Sequence, residues 1–301
     1  MTGRRRAAAI LGLLAFGALP APASAADSPL LPPAAMAVAR EGLEHLYHAR
    51  LHEAADSFER LRTLAPGSPA ADFLLGGIQW HVVTTGPQGF TAGGEAERRF
   101  FAHMDDAIAA GERQLENDGD DVAAHFFLGG AFGYKARYLA MQEKWWDAYR
   151  NGRRGVSHLE EAVELAPDLE DAYLGLGIFH YYADVLPSVL KFLAGFVGMG
   201  GDRERGLEEI RRATRGGHLV NVEARFFLAE ILTTFEDDHW TAYGIARSLR
   251  EQYPEHDLFA WMYARTLDAL HRGGESAAEW RALREGERDR QTVGFLDYRL
   301  A

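Results

Sequence analysis

Apolar residues along this chain recur at three- and four-residue spacing, the period of helices that bury one face. No sustained alternation of apolar and polar positions marks a strand. A second pattern lies over the first. An apolar stretch ending in leucine and a small residue occurs at Phe73-Leu74-Leu75-Gly76-Gly77 and at Phe126-Phe127-Leu128-Gly129-Gly130. It returns at Leu174-Gly175-Leu176-Gly177 and at Phe226-Phe227-Leu228-Ala229-Glu230, with weaker copies ending at Gly42 and at Tyr263-Ala264. The small residues stand at 42, 76, 129, 177, 229 and 264, at spacings of 34, 53, 48, 52 and 35. The first and last fit a helix–turn–helix repeat of about 34 residues. The middle three are longer by 14 to 19 residues and predict insertions.

A complementary set follows each marker. Ala54, Phe58 and Leu61 precede Pro66, and Gly155, Leu159 and Ala162 precede Pro167. Each set puts small and large apolar residues on one helical face, and proline then stops the helix. Gly206, Ile210 and Ala213 repeat the face without the proline. With these motifs the chain resembles the tetratricopeptide-repeat superfamily over residues 35–290. The resemblance implies an all-α, right-handed tetratricopeptide-like helical solenoid of about six helix–turn–helix repeats with insertions. It also implies that the small residues let paired helices approach closely, and that one face of each first helix lines a concave groove. In that register Phe73, Phe126, Leu174 and Phe226 form a column, with Trp80, His81, Tyr134, Tyr181 and Tyr182 near its rim. Two outcomes stay open: these residues are core, covered by the insertions, or they line an open groove for an apolar segment.

A narrower resemblance covers residues 175–213. Gly175-Leu176-Gly177-Ile178-Phe179-His180 leads to Leu186-Pro187, Lys191-Phe192-Leu193, Gly195-Phe196, Gly201-Asp202 and Gly206-Leu207. This run resembles the Iml/tetratricopeptide-39 group of fungi and animals, which implies a link to lipid handling and no catalytic residues. Those relatives lack a secretory signal. Within the run, residues 183–201 are too apolar for an ordinary exposed loop. The sequence predicts a short helix starting after Pro187 that packs near the groove. Thr84, Thr85, Gly86, Pro87 and Gly89 mark a loop over 82–94, and Asp202 is placed to cap a following helix.

The amino terminus departs from this pattern. Arg4, Arg5 and Arg6 precede an uncharged apolar run from Ala7 to Leu19, and Ala23-Ser24-Ala25 supplies small residues. This is the form of a secretory signal over residues 1–25, cleaved before Ala26, and the run is too short to span a bilayer. Pro29, Pro32 and Pro33 mark an extended leader over 26–34, and residues 291–301 a short tail. A periplasmic or secreted protein is the expectation. The chain has no cysteine, which removes disulfides, zinc–thiolate sites and a lipidated cysteine.

Charge narrows the partners. The net charge is −12 at pH 7, and loss of the three signal arginines makes it more negative. Such a surface disfavours nucleic acid and anionic lipid as main partners. Arg211, Arg212 and Arg215 are the candidates for a local basic patch, and a solvated helix face is the simpler reading.

Chemistry-bearing patterns are few. His45, His48 and His52 share helical spacing, but a turn predicted near 50–52 breaks their face. His52-Glu53 lacks the second histidine of a zinc-protease motif. Gly195, Gly198, Gly200 and Gly201 lack the lysine and hydroxyl of a phosphate-binding loop. No serine stands in a nucleophile elbow. The sequence therefore predicts a non-catalytic protein with no cofactor and no metal. Its expected partner is another protein or a peptide segment, and the alternative is a small apolar or lipid-like ligand.

Overall fold

The computed structural model describes residues 28–85, 94–185 and 201–286. Twelve helices occur among them, and no strand. They are α1 (Pro33–Tyr47), α2 (Leu51–Leu64), α3 (Ala70–Thr85), α4 (Glu95–Asn117), α5 (Val122–Met141) and α6 (Trp145–Leu165). Then follow α7 (Ala172–Val185), α8 (Arg203–Gly216), α9 (Asn221–Thr234), α10 (His239–Gln252), α11 (Asp257–Ala269) and α12 (Gly273–Gly286). Each odd-numbered helix packs on the helix after it, and successive pairs stack. The result is six helix–turn–helix units in one array. Pro66 and Pro167 lie just beyond the ends of α2 and α6, where proline forbids continuation.

The small residues work as the repeat pattern implies. A Cβ on Gly129 would stand 3.0 Å from the carbonyl oxygen of Gly155, and one on Gly177 would stand 2.7 Å from that of Gly206. α5 and α6, and likewise α7 and α8, thus touch backbone to backbone. The turns within pairs also repeat. Ala49, Glu143, Asp237 and His271 take positive φ between 54° and 58°, each just past the end of an odd-numbered helix. In all four turns an amide reaches back five residues, Arg50 to His45, Lys144 to Leu139, Glu236 to Ile231 and Arg272 to Leu267, and satisfies a terminal helix carbonyl.

The extra residues of the middle repeats go partly into helix length. α4, α5 and α6 have 23, 20 and 21 residues, against 14 for α2 and α8. α3 runs on to Thr85, so the predicted loop begins later than residue 82. Residues 86–93 lie outside the described residues. So do residues 186–200, which hold most of the predicted helix after Pro187 and most of the narrower motif. Residues 1–25, read above as a secretory signal, and residues 291–301, read as a tail, fall outside as well. Asp202 does cap α8, its carboxylate accepting from the amide of Arg205 at 2.9 Å. The leader is shorter than the prolines suggested. α1 starts at Pro33, which suits a first helical turn, and Leu30 and Leu31 are already buried in the core.

The array bends until its ends meet. The ring of Tyr47 at the end of α1 lies 5.4 Å from Tyr253 and 6.2 Å from Phe259, between centroids. His48 Nδ1 is 3.1 Å from the Glu255 carboxylate, and the Tyr253 hydroxyl donates to Glu44 at 3.2 Å. On α3, His81 meets His256 with ring centroids 4.9 Å apart. The first two repeats therefore press on the junction of the last two, and a seam closes the superhelix.

Candidate functional site

α3 packs on α5, α5 on α7 and α9 on α11, so the odd-numbered helices line the inside of this curve. The column predicted from the repeat register lies there as a buried floor. Phe73, Phe126 and Leu174 are 9%, 3% and 6% exposed, whereas Phe226 is half-buried. Phe73 and Phe126 meet edge to face with centroids at 6.5 Å, and Trp80 joins them through Tyr134. Leu174 belongs to a second cluster with Tyr181 and Ile210. Phe226 packs against Phe259 at 6.0 Å and meets the second cluster only at its chain neighbour Phe227, at 6.1 Å. The four residues therefore share a face but form three packing groups.

The rim residues divide in the same way. Trp80 and Tyr181 are buried, and Tyr181 donates its hydroxyl to Glu236 at 2.5 Å. His81, Tyr134 and Tyr182 keep part of their surface exposed. The Tyr134 hydroxyl crosses the curve to Glu223 on α9, with both carboxylate oxygens at 3.0 Å. Arg137, one turn beyond Tyr134, lies between two rings, 4.6 Å from Trp80 and 4.5 Å from Phe227. Such a guanidinium holds its charge against aromatic faces.

This interior shifts its titratable groups. Burial raises the Glu223 carboxyl, and Arg137 and the Tyr134 hydrogen bond offset part of that rise. Burial, with the Glu223 charge next, raises the hydroxyls of Tyr47 and Tyr134. Burial pushes His81 down to about 4 and, with His81 adding to it, His256 down to about 3. Both imidazoles are neutral at pH 7. The floor is thus apolar, with a few fixed hydrogen-bonding points and one stacked cation.

The fold is tetratricopeptide-like. Helix pairs, small-residue contacts and recurring turns all have that form. Among solved structures, one to which it is similar is TTC0263, a thermophilic tetratricopeptide-repeat protein of Thermus thermophilus. That similarity has 18% identity and a TM-score of 0.45, and it covers 77% of this chain and 98% of the other. Another is yeast Tom70, with 14% identity and a TM-score of 0.38 over 89% of this chain. The chain spans about half of Tom70, 54% of its length. No protein-family description and no curated protein matches the sequence.

Other sequence-level candidates also find places in this tetratricopeptide-like array. The three early histidines separate: His45 stays on α1 beside Glu41, His48 sits in the turn against Glu255, and His52 lies on α2. Of the basic trio, Arg212 stacks on Tyr173 at 3.9 Å and bonds Glu170, and Arg215 pairs with Glu208. No helix among the described residues is long and apolar enough to cross a membrane.

Sequence reasoning missed Arg137, Glu223 and His256. Arg137 follows Tyr134 by three positions and Glu223 precedes Phe226 by three, so helical spacing already put each on the marked face. His256 had no such signal, because it reaches His81 only through the seam. Trp145, Trp146 and Trp240 were missed too. They are 43%, 58% and 70% exposed where α6 and α10 begin, beside charged turns that single out a solvent-facing aromatic.

Proposed function

We propose that the protein is an exported, non-catalytic binding scaffold of the periplasm or exterior, which holds an apolar segment of another protein or a peptide on its concave face. The observation that carries this reading is the character of that face. Tyr134, Tyr182, His81 and Phe226 keep accessible surface over the buried floor of Phe73, Phe126 and Leu174. An apolar floor with sparse polar points suits a chain whose side chains are apolar and whose backbone needs partners. The amino-terminal arginines, short apolar run and small residues before Ala26 support export.

The narrowness of the curve favours a second reading, a carrier of a small apolar or lipid-like ligand. Tyr134–Glu223 and His81–His256 tie its opposite walls together. One experiment separates the two. Protein purified from its native host carries a photo-crosslinking residue in place of Tyr182, and its intact mass and organic extract are recorded. A mature chain starting near Ala26, with one recurrent protein adduct and no stoichiometric lipid, is expected. A stoichiometric lipid without an adduct replaces the scaffold by the carrier, and a retained Met1 in the membrane fraction refutes export.

A further inference from the structure

The seam encloses an open cleft of about 320 Å³ between α1, the turn from α8 to α9, and the end of α10. This is the small end of the size range of ligand sites. Three arginines reach its wall, Arg40, Arg215 and Arg225, in a chain whose net charge is −12. Their pairing is unequal. Arg215 is bound to Glu208 at 2.8 Å. Arg40 has no carboxylate within ion-pair distance among the described residues. Arg225, half-buried on α9, bonds only neutral acceptors, Ser248 Oγ at 2.8 Å and Gln252 Oε1 at 3.2 Å. Those two bonds leave three of the five N–H donors of a guanidinium without an acceptor among the described residues.

A half-buried cation without a counter-charge is costly to desolvate, and burial accordingly lowers the Arg225 pKa. The one carboxylate on the wall, Glu44, accepts from the Tyr253 hydroxyl rather than from Arg225. Backbone donors do not substitute for the arginines. The amides of His218, Leu219 and Val220 ahead of α9 are all taken by the buried Asp171 carboxylate, at 2.9, 2.6 and 3.0 Å. Leu43, three positions after Arg40, and Val222, three before Arg225, add an apolar part to the lining.

We infer that this cleft is a binding site for a small oxyanion, a phosphate or carboxylate group on a short apolar stem, gripped by Arg225 and Arg40 with the stem along Leu43 and Val222. The planar fork of Arg225 matches the paired oxygens of either group. The site joins α1 to α9 and α10, so its ligand also bridges the two ends of the array. Its lining shares no residue with the concave floor or its rim.

The test uses the full mature chain and calorimetric titration with two probes, inorganic phosphate and hexanoate. Saturable binding at millimolar concentration is expected, weakened by added sodium chloride as a charge contact is. The preferred probe tells a phosphoryl ligand from a carboxylate one. Arg225→Gln and, separately, the exposed Arg40→Gln should each weaken binding by about tenfold or more. Circular dichroism checks that each variant folds, and because Arg40 is exposed its variant remains informative if Arg225→Gln unfolds. No saturable binding of either probe, or equal affinity in a folded Arg40→Gln variant, overturns the assignment.

Discussion

At the scale of single residues, the interior face is controlled by groups whose neighbours lie far away in sequence. His81 and His256 are 175 positions apart, yet each desolvates the other's surroundings. Their pKa values of about 4 and about 3 lie below the ordinary 6.5. The unfolded chain then binds more protons than the folded one below about pH 6.5. Their contribution to stability is fully present above that pH and is lost progressively as pH falls toward about 3. NMR titration of the imidazole C–H signals should show both rings neutral at pH 5.5. A midpoint near 6.5 for either would mean that the contact is open in solution. The sequence marked His81 through the repeat register but gave no mark to His256, because residue type and local spacing carry no information about a contact closed by superhelical curvature. Phe73 and Phe126 were legible as members of one face. Whether that face was floor or groove was not, since burial depends on the opposite wall.

At the scale of elements, the leucine–glycine markers were legible because helix pairing needs them sterically. The consequence can be read from two glycines. Alanine at Gly177 places a Cβ 2.7 Å from the Gly206 carbonyl oxygen and 2.9 Å from the Ile210 amide, so backbone must move. Gly177→Ala should therefore destabilise by about 1–3 kcal/mol, the range for overpacking. Gly133 is exposed on α5, and a Cβ there meets nothing within 4 Å. Gly133→Ala should stabilise by up to about 1 kcal/mol through helix propensity alone. Chemical denaturation of both variants checks the pair, and equal effects would mean that the glycine contact between α7 and α8 is loose. Insertions were legible as surplus length but not as form. Extra residues prolonging α4, α5 and α6 leave the same spacing signature as extra loop.

At the scale of the whole molecule, the seam changes how the repeats share stability. In an open solenoid each repeat answers only to its neighbours. Here Tyr253, fully buried, packs on Tyr47 and bonds Glu44 in the first repeat. Tyr253→Ala should destabilise by about 3–5 kcal/mol, the range for a buried aromatic. It should also speed hydrogen exchange in α1, some two hundred residues away in sequence. Unchanged protection of α1 beside weakened α10 would show an open array. The seam has a further consequence for the order in which the molecule is made. A chain that emerges amino-terminus first presents α1 long before residues 253–259 exist. The first repeat must therefore wait, with Tyr47 uncovered, until nearly the whole polypeptide has been released. Closing so long a loop costs entropy that grows only with the logarithm of its length. The delay, rather than the energy, is what this architecture imposes. During that interval the Tyr47 end of α1 stays open to a protease or a chaperone.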